Sequence, residues 1–537
     1  MHSELYSQDQ QVLWYDTDPA IGAEQARSIE IDSQGNVIMV GTFSSENINF
    51  GNFNLLNNGG SDIFVVKYNS ESEVLWAISA GGSGDEVANG LSIDLENALY
   101  ITGNYTSSSL TFGDLTLTNT SIPYSDIFIV KLSLEGLPQW AVSAGGTEDD
   151  EASAIAADPS GEVAITGQFN SEELNFQNIT LSNASTGWDA FIARFNANGT
   201  IQWADAIGGV ADEFSSSIAI APNGTTTIAG HYFSTALNID SFLLSNSNPG
   251  WSSDMFLVSY DTNSSVYWAK GFGGTGNEIS GDVAINSSGN IILVGGFESE
   301  FIAFDGEILG SMSPASTDIC VVYMNSAAEV QWAKSNGSIN ADLATGVSTN
   351  NNGDVLVTGY FMAPEITLVD QTFQSEGAQD MYVVHYNMFG TPLWAQNFGG
   401  QADDILFAID CDNSGNLVVC GSFQSGEITV DGETIINGGN EDFIAIKMQY
   451  TSIGVESITS TKFSPVFPNP SSGFITIKSE NIQEIRIIST TGQEVMHSSL
   501  PAEMLQFPLD LSNLPSGSYV ILWKENDIWK KELLLLN

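Results

Sequence analysis

Over residues 10–450 the apolar positions fall in short runs divided by polar, turn-forming residues, and one order of runs keeps returning. In the first copy SIEID (28–32) and VIMVGTF (37–43) flank the turn DSQGN, a hairpin signal of β-prone runs around Asp, Ser, Gly and Asn. An insertion follows, then DIFVVKY (62–68), a short polar turn, and VLWAISA (74–80). No window carries apolar residues at helical spacing, so each unit predicts four strands and no helix. Tryptophan counts the copies: Trp14, Trp76, Trp140, Trp203, Trp268, Trp332 and Trp394 are spaced by 62, 64, 63, 65, 64 and 62 residues. Trp188, Trp251, Trp523 and Trp529 stand off this register. Asp62, Asp126, Asp189, Asp254, Asp318, Asp380 and Asp442 form a second ruler, each opening an apolar run such as DIFVVKY or DFIAIKM.

Repeated four-stranded units with Gly-rich joints predict an all-β fold, a seven-bladed β-propeller over residues 1–450. The first three strands occur seven times, the last copy ending in DFIAIKM at 442–448, without a fourth strand after it. QQVLWY around Trp14 supplies that strand, so the N-terminal strand is expected to close the last blade. The period exceeds the roughly 40–50 residues of short-looped blades. The excess lies in segments such as 44–60 and 106–125, which read as hairpin-like extensions. With the first strand innermost, these insertions and the joints GGSGDE, GGTEDDE, GGVADE, GGTGNE and GGQADD share one face, the upper one. The simple hairpin turns share the other. Binding is expected on the elaborated face, because loops on a rigid scaffold vary at little cost. The seven repeat tryptophans are expected to pack between neighbouring blades.

Charge narrows the partners. The chain has 65 acidic and 13 basic side chains, a formal charge of −52. Such a surface repels nucleic acid and anionic lipid, which are bound by neutralising phosphate with Lys and Arg. It suits cations, high ionic strength or solubility. No uninterrupted apolar run is long enough to span a membrane as a helix, and MHSELYSQDQ does not read as a secretory signal. Cys320, Cys411 and Cys420 read as small apolar fillers rather than a disulfide framework.

Candidate chemistry is sparse. The joints repeat carboxylates: Asp85 and Glu86; Asp149, Asp150 and Glu151; Asp212 and Glu213; Glu278; Asp342; Asp403 and Asp404. Asp85, Glu86, Asp149, Asp150, Asp212, Glu213, Asp403 and Asp404 are the candidate upper-face binding residues, able to hydrogen-bond sugars or to hold calcium, which takes six to eight oxygens. The competing reading makes Gly-Gly-x-Asp a turn from an outer strand to the next inner one. The seven strand-opening Asp residues read as structural. DCDNSG at 410–415 imitates a calcium loop but has Gly421 where a bidentate Glu belongs, so it reads as a hairpin turn. Lys67, Lys131, Arg194 and Lys447 share a strand register that Ser259, Tyr323 and His385 fill elsewhere, which predicts a tolerant, partly exposed slot paired with acids. His2, His231, His385 and His497 have no metal-ligand spacing. No zincin motif, phosphate loop, dinucleotide fingerprint or nucleophile elbow occurs. No catalytic residue is assigned and no cofactor is expected, with calcium the one ion in question. Paired acids of a glycoside hydrolase or lyase stay open as an alternative.

After Tyr450 the period stops. Residues 451–462 read as a linker and 463–537 as short alternating strands, enough for a small β-sandwich. Residues 451–537 hold nine acids and six bases, which leaves −49 of the formal charge on residues 1–450. FPNPSSGFITI, IRIISTTGQEV, LSNLPSGSYVILW and the final KKELLLL resemble the carboxyl-terminal (type A) sorting domain of type IX secretion cargo in the Bacteroidetes. The matching positions are Pro468, Asn469, Pro470, Gly473, Gly492, Leu514, Pro515, Gly517 and Tyr519. That resemblance implies an immunoglobulin-like fold for 463–537 and passage across the outer membrane to the surface or medium. It also implies as partners the secretion machinery, including an outer-membrane translocon, a shuttle and a sortase-like peptidase. An amino-terminal export signal belongs to that pattern and is missing from this sequence. Residues 10–450 resemble SBBP-type β-propeller repeats, which implies architecture more than activity. The expected function is non-catalytic recognition or adhesion of a glycan or surface protein, the alternatives being a carbohydrate-active enzyme or a purely structural surface protein.

Overall fold

A computed structural model describes residues 10–450, apart from 314, 315, 363, 370 and 376, together with the carboxyl-terminal strands named below and residues 511–515. The chain divides into two compact units, Met1–Ser452 and Ile453–Asn537.

The first unit is built of seven four-stranded antiparallel sheets. Sheet 1 runs Glu24–Ile31, Val37–Phe43, Asp62–Tyr68, Val74–Ala80, and the later sheets repeat this order. The first strands of sheets 2 to 7 are Glu86–Ile93, Asp150–Ala157, Glu213–Ile220, Glu278–Ile285, Asp342–Thr349 and Asp404–Cys411. Second and third strands such as Val37–Phe43 and Asp62–Tyr68 are buried along their whole length. Both their faces are covered, which is why they read as continuous apolar runs rather than alternating ones.

Seven hydrophobic cores lie between successive sheets: 1 and 2, 2 and 3, 3 and 4, 4 and 5, 5 and 6, and 6 and 7. The seventh joins sheet 7 to sheet 1, where Phe443 lies 5.3 Å from Phe50 and 5.8 Å from Phe64, ring centre to ring centre. Sheet 7 takes its fourth strand from the amino end. Gln10–Asp16 pairs antiparallel with Asp442–Tyr450, from Gln10 opposite Tyr450 to Asp16 opposite Ala445. The same junction is tied by Glu24 N–H to the Glu441 carbonyl at 2.9 Å.

Each insertion between second and third strands folds as a two-stranded hairpin, Ser109–Phe112 with Leu115–Thr118 in sheet 2 being typical. Leu110, Phe112 and Leu117 face the core, and Gly81 of the preceding joint bridges to Thr111. Insertions and joints therefore lie on one side. Their tips hold Gly51, Gly113, Gln177, Asp240, Asp305, Val369 and Asp431 at φ between 48° and 55°.

The repeat tryptophans connect consecutive sheets. Trp76, Trp140, Trp203 and Trp332 donate from Nε1 to the carbonyls of Leu134, Ala197, Thr262 and Met388, in the last turn of the next sheet. Gly136 sits beneath Trp76 with φ 77°, and a Cβ there would come within 3.0 Å of the ring. Trp14, Trp203 and Trp394 are buried, the other four half-buried.

The shared basic slot differs from the expectation of partial exposure. Lys67, Arg194 and Lys447 are almost wholly buried. Lys67 Nζ meets Asp32 at 2.8 Å, Arg194 meets Asp158 at 2.8 Å, and Lys131 lies 3.9 Å from Asp94. Each of these acids opens the first hairpin turn of its own sheet. The slot and the turn change together: Ser259 goes with Ala221, Tyr323 with Asn286, and His385 with Asn350 and Asp354, the last at 3.6 Å. A buried cation has to keep its counterion.

In the second unit Val466–Phe467, Phe474–Lys478 and Gln506–Asp510 form one antiparallel sheet. Glu494–Ser499, Ile482–Ser489, Gly517–Glu525 and Ile528–Leu536 form another. Ile475, Ile477, Ile485, Ile487, Leu509, Leu511, Tyr519, Ile521 and Trp523 make their common core.

Candidate functional site

The joint acids separate into two kinds. The first acid of each joint holds the preceding insertion in place: Asp85 accepts the Ser61 N–H at 3.1 Å, Asp149 that of Ser125 at 2.9 Å, and Asp212 that of Trp188 at 3.0 Å. Asp85 is exposed, while Asp149, Asp212 and Asp403 are half-buried.

The second acid is buried. Glu86, Asp150, Glu213 and Asp404 are fully enclosed. Glu86 accepts the Gly82 N–H and Glu213 the Gly209 N–H, each at 2.7 Å, and Asp404 accepts the Ser425 hydroxyl at 2.7 Å. These four of the eight candidates are therefore withdrawn as surface contacts; they brace the joint from inside.

Glu86, Asp150 and Glu213 each lie beside a strand-opening Asp, itself buried. Burial first, and the neighbouring carboxylate second, raise Glu86 beside Asp62, Asp150 beside Asp126 (up to about 7) and Glu213 beside Asp189 (up to about 7). Asp62 Oδ1 and Glu86 Oε1, and likewise Asp189 Oδ1 and Glu213 Oε1, have no donor. A proton on either acid of such a pair removes one of two neighbouring like charges. The double glycine follows from this packing. A Cβ on Gly145 would stand 2.0 Å from Asp126 Oδ1, and one on Gly146 2.4 Å from Ser171 Cβ.

Among the described residues no group of three or more His, Cys, Asp or Glu side chains could hold a metal ion. In DCDNSG, Asp412 accepts the N–H groups of Ser414 and Asn416, an ordinary turn, and Asp410 points inward to accept the Ile31 N–H of the next sheet at 2.8 Å. Cys320, Cys411 and Cys420 are free thiols, and burial raises all three.

A cavity of about 400 Å3 is lined by the first strands of all seven sheets. Each of these strands has one bulged residue: Arg27, Asn89, Ser153, Ser216, Gly281, Thr345 and Phe407. A bulge re-aims its side chain, and these seven all line the cavity. Deeper in, Asp282 accepts the Val347 N–H at 2.8 Å and Ser92 Oγ that of Ala157 at 3.0 Å, so side chains of one sheet satisfy the free strand edge of the next. Burial raises Asp282 and Asp410, and raises Glu30 well above the carboxylate range. The rim of bulges went unread in the sequence. Its signal is the fourth residue when each joint's buried acid is counted as one, which with the second residue is where the aligned first strands differ most.

In the carboxyl-terminal unit Pro468, Asn469, Pro470, Gly473 and Gly492 lie outside the described residues. Leu514 and Pro515 precede Gly517, which opens a strand, and the buried Tyr519 donates its hydroxyl to the Pro515 carbonyl at 2.8 Å. Residues 465–535 match the family described as secretion system C-terminal sorting domain. The chain carries a type IX sorting domain at its carboxyl end.

The sorting domain accounts for only the last part of the chain. An uncharacterised WD repeat-containing protein of Acanthamoeba polyphaga mimivirus is 21% identical over 509 residues, covering 79% of this chain and 37% of that protein. The regulatory protein FlaEY of Caulobacter vibrioides is 25% identical over 177 residues, 32% of this chain and 18% of that protein. The chain thus spans well under half the length of either relative. Among solved structures, Sqt1 from Chaetomium thermophilum (10% identity, 80% of this chain, 86% of that chain) and a puromycin hydrolase mutant (10%, 92% and 58%) align with a TM-score of 0.36 each. At that score the likeness assigns no activity. No helix among the described residues is long and apolar enough to cross a membrane.

Proposed function

We propose that this protein is a type IX secretion cargo whose first 450 residues form a closed seven-bladed propeller, used outside the outer membrane as a non-catalytic recognition or adhesion module. The sorting domain is the observation that carries the export half of this reading. Closure is supported by seven cores in cyclic order and by the amino-terminal strand seated in the last sheet. In this reading residues 1–450 are the propeller, 451–462 a linker and 463–537 an immunoglobulin-like sandwich. The partners on the route are the outer-membrane translocon, the shuttle and the sortase-like peptidase. Recognition is supported by the division of labour in the repeat: the recurrent acids are spent on the joints, while the bulge rim and the insertions differ from sheet to sheet. The remaining upper-face candidates are Asp85, Asp149, Asp212 and Asp403. Calcium at these acids would raise the melting temperature by binding the folded state alone, and an unchanged melt in chelator removes it from the scheme.

The test of export is a fusion bearing an export signal, expressed in a type IX-competent host with and without residues 463–537. The full fusion should reach the surface or medium and the truncated one should stay in the periplasm. Equal delivery of both refutes the sorting role.

A further inference from the structure

The seven sheets place the same backbone at the upper mouth of the central cavity, so each serves as a control for the others. Opposite the first strand's second residue, just inside the joint, stands one residue of the second strand. These cross-strand pairs are Gln25 with Thr42, Val87 with Asn104, Glu151 with Gln168, Ile279 with Gly296, Leu343 with Tyr360, and Ile405 with Ser422. Only sheet 4 has two rings there, Phe214 and His231, with centres 5.4 Å apart and planes at 31°. Trp188 stands where sheet 1 has Ser61 and lies 6.4 Å from Phe214, and Phe233 meets the edge of His231 at 6.1 Å. The fold does not demand these rings, since its other copies do without them.

Phe214 and His231 border a shallow depression of about 330 Å3, lined also by Ser153, Gln168, Ser215 and Ser216, with Trp188 and Phe233 packed behind them. Its polar groups are organised. Ser153 donates to Gln168 Oε1 at 3.1 Å, Gln168 donates to Glu151 at 2.9 Å, and Ser216 shares a hydrogen bond with Ser280 at 2.8 Å. His231 is the exception: its Nδ1 is buried with no partner. Burial brings the imidazole down to about 4, so at neutral pH it is uncharged, with one donor and one acceptor nitrogen.

We propose that this depression binds a neutral sugar ring, with the apolar face of the sugar on Phe214, which Trp188 backs, and its hydroxyls on His231, Gln168 and Ser216. Aromatic rings beside a few placed polar groups are the make-up of a small-ligand site. The surrounding charge selects against anions: nucleotides, uronic acids and sulfated glycans all meet an acidic rim that includes Glu151. The inference rests on the recognition reading above and gives it a site and a ligand class.

The test uses the full chain titrated with lactose, cellobiose, mannobiose and chitobiose, and with glucuronate and AMP as anionic controls, followed by calorimetry and tryptophan emission. At least one neutral saccharide should bind, and the anions should bind at least tenfold more weakly. Trp188→Ser, Phe214→Val and His231→Asn together give sheet 4 the residues sheets 1 and 2 already carry. This variant should keep the parental melting temperature and lose at least tenfold in affinity. Should it melt lower, Phe214→Val alone serves, again with loss expected. No binding of any neutral saccharide overturns the inference, and so does unchanged affinity in the variant. Adhesion of the surface-displayed protein to protein-coated supports, measured in parallel, separates the outcomes. Adhesion without sugar binding sinks the sugar site and spares the recognition reading, whereas loss of both sinks both.

Discussion

Two parts of each repeat, a few residues apart, obey different rules. In the joint, sheet after sheet pairs a strand-opening Asp with a second buried acid, sets glycines where a Cβ would strike them, and braces the second acid with a serine, as in Asp126, Asp150, Gly145 and Ser171. At the bulge rim the same backbone carries Arg27, Asn89, Ser153, Ser216, Gly281, Thr345 and Phe407. Agreement among copies marks what the fold requires, because each copy solves the same packing problem. Disagreement on an equivalent backbone marks where the fold is indifferent and another demand can act. Repetition of an acid in the joint thus reflects packing first, since Glu86, Asp150, Glu213 and Asp404 are enclosed.

If the buried acids of the joint are protonated in the folded state, acid should strengthen it. Burial raises Asp126, Asp150, Glu213, Glu278, Asp342 and Asp442 to about 7 in the folded state, against an ordinary carboxylate value in the unfolded chain. The folded state therefore holds more protons between about pH 4 and 7, and stability falls as pH rises through that window. The contribution is complete below the unfolded values and lost above about 7. Moving one carboxyl that far is worth several kcal/mol, so the melting temperature should climb on the order of 10 °C from pH 8 to pH 5. A melting temperature that falls over that range would show the pairs are not protonated. This is the largest effect expected.

Trp394 tests the inter-sheet contacts outside the joint. It is buried, 5.7 Å from His385 in its own sheet and 6.3 Å from Tyr450 in the next. Trp394→Ala should cost about 3–5 kcal/mol, and the half-buried Trp332→Ala distinctly less. Equal losses in denaturant melts would contradict the difference in packing.

The third test copies one sheet's solution into another. Lys67→Ser leaves Asp32 buried without its cation and should cost about 3 kcal/mol. Lys67→Ser with Asp32→Ala reproduces the Ser259 and Ala221 of sheet 4 and should recover part of that loss, a coupling of about 1–3 kcal/mol in a double-mutant cycle. Strict additivity would mean that the paired changes along the chain carry no energetic link.

How far the sequence could be read follows the same division. The four strands per unit, the count of seven and the strand lent by Trp14's segment were all legible, because tryptophan and aspartate mark backbone positions at a fixed period. The depth of Lys67 and Arg194 was not, since a basic residue in a strand reads as exposed until its partner in the turn, Asp32 or Asp158, is seen beside it. Nor was the burial of Glu86 or Asp150: adjacent acids differ by one place along the chain, and only the direction of each side chain separates a surface acid from a buried one. The rim was hidden because a bulge changes no composition.

Within the joint, Gly145→Ala forces a methyl group against Asp126 Oδ1 and should cost about 1–3 kcal/mol. At the rim, Ser153→Ala, on an equivalent backbone with no glycine constraint, should fall within about 0.5 kcal/mol of the parent. Comparable losses in chemical denaturation would erase the distinction between shell and rim.

The smallest effect expected is a near-cancellation. Six of the seven insertion tips place Gly, Gln or Asp in the left-handed region, whereas sheet 6 places Val369 there, at φ 53°. A β-branched side chain crowds the following carbonyl in that conformation, at a cost of roughly 1–2 kcal/mol, and no other copy accepts it. Val369 also packs against the core between sheets 5 and 6. Val369→Gly, which restores the residue found at Gly51 and Gly113, relieves the strain but gives up that packing and adds the freedom of glycine in the unfolded chain. The opposing terms should leave stability within about 0.5 kcal/mol of the parent, read as a nearly unmoved denaturation midpoint at unchanged slope. A loss well beyond that would mean that the contact of Val369 with the core outweighs the strain it causes, and sheet 6 would have traded an easy turn for extra burial.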